Sequence, residues 1–441
     1  MNKLDFINDV FGGKIHNINS GFNTSLEFFG LISSSLRSGS PILEDGFEVK
    51  HISSDFARRY AWPPQNTNDR ELIIGSQSEM EIFTGDLKNI EDPNHQPLRG
   101  LIQALAAPRK PGTRAPREWH TSYLMPYSNN IAHWEAKPRK KVRGDEKNDQ
   151  INLERSDWRG AGSLAHHLIR TDKNLDRLDK TRVGLTEIFG EKSVIDTLFD
   201  TLNSKNKATG TSKTDKIESE CKTLDSDGDE LREGVYNILK VTDKKIRLEA
   251  LMYFLPLAIM CHTLRRAYKI LGINVFYTGV VDFGTTASQL RRKSKLDLSR
   301  ANKYLSGAIE KVGKESGHDE KFLTEAKKQF AGYYTATASA IGFLNAHTGV
   351  RHHTIKEQLL CALVMAETPG DDITLNEFAN RLYKNWGMVI NRESAEKAGL
   401  LMEINGELFN RNTNEYLASS LRKLGALKEF SDSTVMVCRP S

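Results

Sequence analysis

Residues 412–437 read NTNEYLASSLRKLGALKEFSDSTVMV, and this stretch decides the fold at the C-terminal end of the chain. Its first half places Leu417, Leu421 and Leu424 at helical spacing, which predicts a helix with one apolar stripe that ends at Gly425. Its second half contains two short strand-forming runs separated by a polar Ser-Asp-Ser sequence, which predicts a two-stranded hairpin closed by a polar turn. A helix followed directly by a hairpin is therefore expected here.

Two further helices are predicted upstream of this stretch. The pattern over 354–367 predicts a buried helix that ends before Pro369-Gly370. Thr374 begins a second helix, and Glu377 stands at the spacing of a capping box. After an insertion comes the third helix, whose N-terminus we place at 411–414. Three helices and a hairpin in this order resemble the winged-helix DNA-binding domains. The resemblance covers about a fifth of the chain and rests on element order, without a residue-level signature.

Bulk composition is that of an ordinary soluble protein. The 441 residues are 38% hydrophobic and 27% charged, with a net charge of +5, so any nucleic-acid surface must be local. The first residues contain no apolar signal segment, and the longest apolar run, 251–261, is about half the length of a membrane helix. The four cysteines are widely separated, which favours reduced thiols in a cytoplasmic protein without a membrane contact.

The chain divides into three parts by composition, and we expect an α+β, multi-domain protein. Residues 1–150 form an irregular α/β module with basic-aromatic loops, including strands at 71–75 and 80–83. Residues 151–350 are mainly helical, with an exposed linker near 203–230. A long helix is expected over 244–271, and further helices over 296–313 and 319–345. Residues 351–441 are the winged-helix segment, which we expect to fold in isolation.

The phrase Val281-Asp282-Phe283-Gly284-Thr285-Thr286 resembles the first phosphate loop of the actin and Hsp70 class of ATPases. No second phosphate loop follows it, and the chain has no Walker loop, so no nucleotide cofactor is expected. The preferred interpretation is that this phrase is a strand that ends in a tight turn. Another strand is expected before it, at 275–277. Thr286 or Ser288 would cap the next helix.

A nuclease remains an alternative on the basis of Glu135-Ala136-Lys137, which resembles the Glu-x-Lys of PD-(D/E)xK nucleases. That chemistry needs a second carboxylate for Mg²⁺, for which Glu118 is the candidate. The histidines at 166–167, 347 and 352–353 have no carboxylate or cysteine at ligand spacing. We therefore expect no metal site at these histidines, and we expect them to be exposed or to face nucleic acid.

Basic residues gather in two further places. Between 109 and 143 there are nine Lys or Arg residues and two acids, interleaved with aromatic residues, a composition typical of single-strand binding. A second cluster contains Arg291, Arg292, Lys293, Lys295, Arg300 and Lys303 against Asp297 alone. The candidate DNA-binding residues come from these two clusters and from the third helix of the winged-helix segment. They are Arg139, Lys140, Lys141, Arg291, Arg292, Lys293, Arg411, Asn412, Thr413, Asn414, Arg422 and Lys423.

The sequence favours a non-catalytic DNA-binding or adaptor subunit of a bacterial DNA-processing assembly. A large helical body with a terminal winged helix resembles the accessory subunits of restriction and anti-phage modules, which implies a separate ATPase, helicase or nuclease subunit as partner. The Mg²⁺-dependent nuclease and a pure protein scaffold are the alternatives. DNA sequence preference and stoichiometry stay open.

Overall fold

The computed structural model describes residues 2–16, 21–44, 49–50, 96–105, 125–127, 136–138, 153–155, 160–189, 196–197, 214–215, 221–222, 227–345, 350–430 and 434–440. Over these residues the chain is mostly helical with a few small strands, which is α+β in a loose sense. Residue contacts separate two compact units. The first is Met1–Ser25, Arg159–Leu185 and Glu220–Ser441, and the second is Leu26–Trp158 with Thr186–Ser219. The three-part division at 150 and 350 stays a prediction.

The described helices, in chain order, are α1 (Lys3–Phe11), α2 (Asn23–Ser38), α3 (Gln96–Ala104), α4 (Ala161–Arg170), α5 (Leu175–Phe189), α6 (Asp229–Leu239), α7 (Lys244–Leu271), α8 (Ser288–Glu315), α9 (Glu320–Phe330), α10 (Tyr333–Ala340), α11 (Glu357–Glu367), α12 (Leu375–Trp386), α13 (Arg392–Lys397), α14 (Gly406–Arg411) and α15 (Ala418–Lys423). A π-helical turn, Asn412–Leu417, joins α14 to α15 without a break. We call the continuous element 406–423 the C-terminal helix.

The described strands are short and form four small sheets. Two antiparallel pairs lie in the second unit, β1 (Val49–Lys50) with β4 (Thr214–Asp215) and β2 (Ala136–Pro138) with β3 (Leu153–Arg155). The first unit contains a parallel pair and a three-stranded sheet, made of β5 (Gly279–Val280) with β7 (Met388–Val389), and of β6 (Ile373–Thr374), β8 (Leu427–Glu429) and β9 (Val435–Val437). The strands predicted at 71–75 and 80–83, and most of the linker predicted near 203–230, lie outside the described residues.

Helix α7 is the centre of the first unit. The Asp243 side chain caps it by accepting from the N–H groups of Lys245 and Ile246, and Gly272 ends it in a left-handed conformation. The predicted bounds of this helix are confirmed. It packs against α1, α4, α6, α8, α10 and α11. By length and composition α7 is the one described helix that passes a test for a membrane span, but 78% of its apolar window is buried, as in the core helix of a soluble protein.

Three predictions for the segment after α7 were wrong in position. Residues 275–277, where a strand was expected, form none; the strand of this region is β5, whose position is set by its pairing with the distant β7. The helix expected over 296–313 begins at Ser288. The one expected over 319–345 is broken after Phe330, where Ala331 is extended (ψ of 132°) and Gly332 is left-handed (φ of 80°).

The C-terminal segment follows the predicted order of helix, helix, helix and hairpin. Thr374 caps α12 by accepting from the Glu377 N–H (3.1 Å), and Gly425 follows the last helix with φ of 67°. The hairpin pairs as expected, and β6 adds a third strand, giving the order β6-β9-β8. The start of the third helix was predicted wrongly. It lies at Gly406, capped by Asn405, so residues 411–414 are inside the helix.

The insertion between α12 and the C-terminal helix packs against the start of α8. The buried cluster combines Tyr277, Val280 and Leu290 from one region with Val389 and Phe409 from the other. An isolated fragment 354–441 would expose this apolar surface and lose the β5–β7 pairing. The packing therefore gives no support to the expectation that the segment folds alone.

Candidate nucleic-acid interface

The turn after β5 is held by one buried carboxylate. Asp282 Oδ1 accepts from the N–H of Gly284 (3.1 Å), the N–H of Thr285 (2.8 Å) and the hydroxyl of Thr285 (2.7 Å). The expected strand followed by a tight turn is confirmed. Since Asp282 occupies the two amides that a phosphate loop would offer, the turn differs from the ATPase loop that its sequence resembles.

The residue that caps α8 was predicted wrongly. The N-cap is Ala287, and no side chain caps the helix. The Ala287 N–H instead donates to the Thr285 hydroxyl (3.1 Å), which lies just before the helix. Thr286 has φ of 60°, a left-handed conformation that is strained for a β-branched residue, so it cannot act as the cap.

Arg291 neutralises the Asp282 carboxylate. Its Nε lies 3.0 Å from Asp282 Oδ2, and the Asp282 side chain is fully buried. Burial alone would raise the pKa of Asp282, but the hydrogen bonds from Thr285 and Arg291 outweigh it, so the pKa lies below its usual value. The Arg291 side chain keeps 41% of its surface exposed, so its remaining donors still face solvent.

Asn412 fastens the C-terminal helix to this turn. Its Nδ2 donates to the carbonyls of Val281 (2.9 Å) and Ile390 (3.1 Å), and its Oδ1 accepts from the Phe283 N–H (3.0 Å). Asn412 is completely buried. The start of α8 and the C-terminal helix, which the sequence analysis treats as separate basic sites, therefore meet at one turn. Arg291 contacts this turn through Asp282, and Asn412 contacts it through Val281 and Phe283.

Burial corrects the roles predicted for Asn412 and Thr413. Thr413 is 1% exposed, and its hydroxyl donates to the Phe409 carbonyl (3.0 Å). Neither side chain can reach a DNA groove, and the amides at this point are internal to a continuous helix. Asn412 and Thr413 therefore hold the fold together instead of contacting DNA.

The exposed part of the C-terminal helix carries mixed charge. Arg411 pairs with Glu415 (Nε to Oε2, 2.9 Å), and Arg422 pairs with Glu429 on β8. Asn414 and Lys423 are also exposed, and no ion pair involves Lys423 within the described part of the chain. This surface has polar and cationic groups, but two of its three cations are neutralised locally.

Some basic residues of helix α8 form ion pairs, and others do not. Besides Arg291, Lys293 pairs with Glu403 (2.7 Å) and Arg300 with the buried Asp297 (3.2 Å). The other three cations of α8 between residues 291 and 303 form no ion pair with any residue that the structure describes, and all three are exposed. We call this set the basic stripe, and it consists of Arg292, Lys295 and Lys303. Of these, only Arg292 belonged to the predicted triplet Arg291, Arg292 and Lys293.

Three of the histidines expected at the surface are buried, and His167 is half-buried. His353 bridges the Ser294 hydroxyl (3.2 Å from Nδ1) and the Tyr334 hydroxyl (3.0 Å from Nε2), and burial lowers its pKa to about 3. His166 and His352 are also buried. The expectation of exposed histidines was therefore wrong at these positions, and at His353 the reason is that a neutral imidazole joins two hydroxyl groups inside the core. His347 lies outside the described residues.

The remaining candidate residues lie in or near the less completely described unit. Arg139, Lys140, Lys141, Glu118 and Glu135 are outside the described residues. Lys137 lies on β2, where its Cα partner across the antiparallel pair is Glu154. Within the described ranges no group of three or more His, Cys, Asp or Glu residues is placed to hold a metal ion. No protein-family model, curated protein or solved structure matches this chain.

Proposed function

We propose that this protein is a non-catalytic DNA-binding or adaptor subunit of a bacterial DNA-processing assembly of the restriction or anti-phage type. In this proposal the segment 351–441 is a winged helix. The observation that carries it is the sheet order β6-β9-β8, in which the strand before α12 pairs with the C-terminal hairpin. This pairing ties α12, the C-terminal helix and the hairpin into one compact arrangement, as a winged helix requires.

Contacts within the segment support the proposal. Helix α12 packs against β6, β9 and the π-helical turn of the C-terminal helix, and α15 packs against β8. Arg411, Asn414, Arg422 and Lys423 stay exposed on the C-terminal helix. Because Glu415 and Glu429 neutralise two of these cations, the proposed contact of this helix with DNA is weak and depends on salt.

The chemistry is proposed to reside in a separate ATPase, helicase or nuclease subunit. Asp282, the carboxylate in the one phrase that resembles a nucleotide site, is fully engaged by its own turn and by Arg291. A cytoplasmic location fits the proposal, since the apolar helix α7 is a core element.

Binding to a fluorescently labelled 20-base-pair duplex, followed by anisotropy at ~50 mM salt, tests this proposal. The full-length protein is expected to bind, and Arg422→Glu with Lys423→Glu should weaken binding. Lys321→Glu with Lys328→Glu is the matched control, because both lysines are exposed on α9 without an ion pair to any described residue. A full-length protein that binds no duplex would leave the scaffold as the surviving function.

A nuclease is the second candidate, and one observation favours it. Lys137 lies on a strand of an antiparallel pair, which is where the Glu-x-Lys of a PD-(D/E)xK site would have to be. Incubation of supercoiled plasmid with the protein and Mg²⁺ separates the two functions. We expect no cleavage. Nicking that is abolished by Glu135→Ala or Lys137→Ala would replace the adaptor with the nuclease.

A further inference from the structure

The basic stripe on α8 faces solvent as one continuous surface. With about 100° of rotation per residue, Arg292, Lys295 and Lys303 fall within an arc of about 80° on one side of the helix. Ser299 lies in the same arc and is also exposed. The opposite side carries Leu290, Ser294, Ala301 and Leu305, all of which are buried. The orientation of the stripe is therefore fixed by the core behind it.

The neighbouring cations on both edges of the stripe are already neutralised. Arg291 on one edge pairs with Asp282, while Lys293 and Arg300 on the other pair with Glu403 and Asp297. The stripe cations have no such partners among the described residues. Uncompensated cations held at fixed positions on one helix face form a surface of single sign, which attracts a polyanion.

We propose that the basic stripe binds the phosphate backbone of duplex DNA without regard to base sequence. This inference rests on the proposed function, because it needs a DNA partner, but it assigns the main contact to α8 instead of the C-terminal helix. Arg292 and Lys303 are separated by about 16 Å along the helix axis. A duplex presents about ten phosphate charges over that length, so every stripe cation finds a phosphate without a particular register.

The surroundings of the stripe favour a nucleic acid over an acidic protein. Its other exposed residues are the polar Ser288, Gln289 and Ser299, and Leu296, 57% exposed, is its one large apolar residue. A protein interface needs an apolar centre that excludes water, whereas contact with phosphates needs cations and hydrogen-bond donors. Asn412 and Thr413, which would read bases in the sequence-based proposal, are buried. The exposed groups therefore supply attraction without base readout.

The test compares two double charge reversals in the full-length protein. Lys295→Glu with Lys303→Glu removes two stripe cations, and Lys321→Glu with Lys328→Glu changes net charge equally on α9. Anisotropy titrations use two 20-base-pair duplexes of unrelated sequence at several salt concentrations. The stripe variant should bind both duplexes at least ~10-fold more weakly, with a log K against log salt slope that is shallower by about two units. The α9 variant should bind like the wild type.

The outcomes separate the inference from the proposed function. No duplex binding by the wild type overturns both. Binding that the stripe reversal weakens no more than the α9 reversal overturns the inference alone and leaves the C-terminal helix as the contact. A strong preference for one duplex contradicts backbone recognition. Displacement of the duplex by polyglutamate as readily as by unlabelled duplex would identify an acidic protein segment as the partner. Circular dichroism of both variants excludes unfolding as the cause.

Discussion

Asn412→Ala should destabilise the protein by about 3 kcal/mol, because two buried carbonyls and one part-buried N–H lose a hydrogen-bond partner. The Val281 and Ile390 carbonyls lose the Nδ2 donor at 2.9 and 3.1 Å, and the Phe283 N–H loses its acceptor at 3.0 Å. Each hydrogen bond contributes about 1 kcal/mol, and leaving its buried partner unpaired adds a desolvation cost. The Thr413 hydroxyl shares its one proton between the Phe409 carbonyl (3.0 Å) and the Ile390 carbonyl (3.3 Å), which limits the loss at Ile390.

Urea denaturation followed by far-ultraviolet circular dichroism measures this loss, as a lower transition midpoint with an unchanged slope. Asn414→Ala is the matched control. It removes the same side chain two residues later on the same helix, where it is exposed, and should change stability by less than about 0.5 kcal/mol. If Asn412→Ala unfolded at the wild-type midpoint but lost DNA binding, Asn412 would be a DNA contact and its assigned structural role would be wrong.

Two further substitutions test the core. Gly279→Ala should destabilise the protein by about 1–3 kcal/mol, because its Cβ would lie 2.6 Å from the His353 ring. Gly307→Ala, inside α8, should stabilise it by up to about 1 kcal/mol, because its Cβ would make only an ordinary contact with Leu271 of α7 (3.7 Å). Equal urea midpoints for the two variants would refute this packing. Burial raises the pKa of Glu367 to about 7, so its protonated form is favoured by folding, and stability should fall as the pH rises from about 4.5 through 7, by roughly 3 kcal/mol in all. Glu367→Gln should abolish this part of the pH dependence while it keeps an acceptor for the Trp386 indole N–H, and a wild-type curve that is flat over this range would contradict the raised pKa.

Local signals in the sequence predicted the helices that carry their own start and stop residues. The bounds of α7 follow from Asp243 and Gly272, and the start of α12 from Thr374, because each cap satisfies backbone groups within the same few residues. The third helix was misplaced because Asn412 and Thr413 resemble N-cap residues. Their hydrogen bonds to distant carbonyls, which no local pattern encodes, make them interior residues instead.

The candidate site could be predicted only in part, because contacts between residues that are distant in the chain leave no local pattern in the sequence. The sequence shows the second basic cluster, but it does not show which of its cations pair with acidic residues and which stay unpaired. Arg291 and Lys293 are neutralised by Asp282 and Glu403, and the second of these partners lies 110 residues away in the chain. Charge counting along a sequence treats all neighbouring cations alike. Only the fold reveals which of them keep their charge for a partner.

The salt dependence of duplex binding by the full-length protein tests the central claim most directly. In the proposed function the three stripe cations and Lys423 make four phosphate contacts, and on that basis the slope of log K against log salt should be about −3.6 on duplexes of unrelated sequence. A protein that binds no duplex at ~50 mM salt, or binds one with a slope near zero, would contradict a DNA-binding function that rests on these cations.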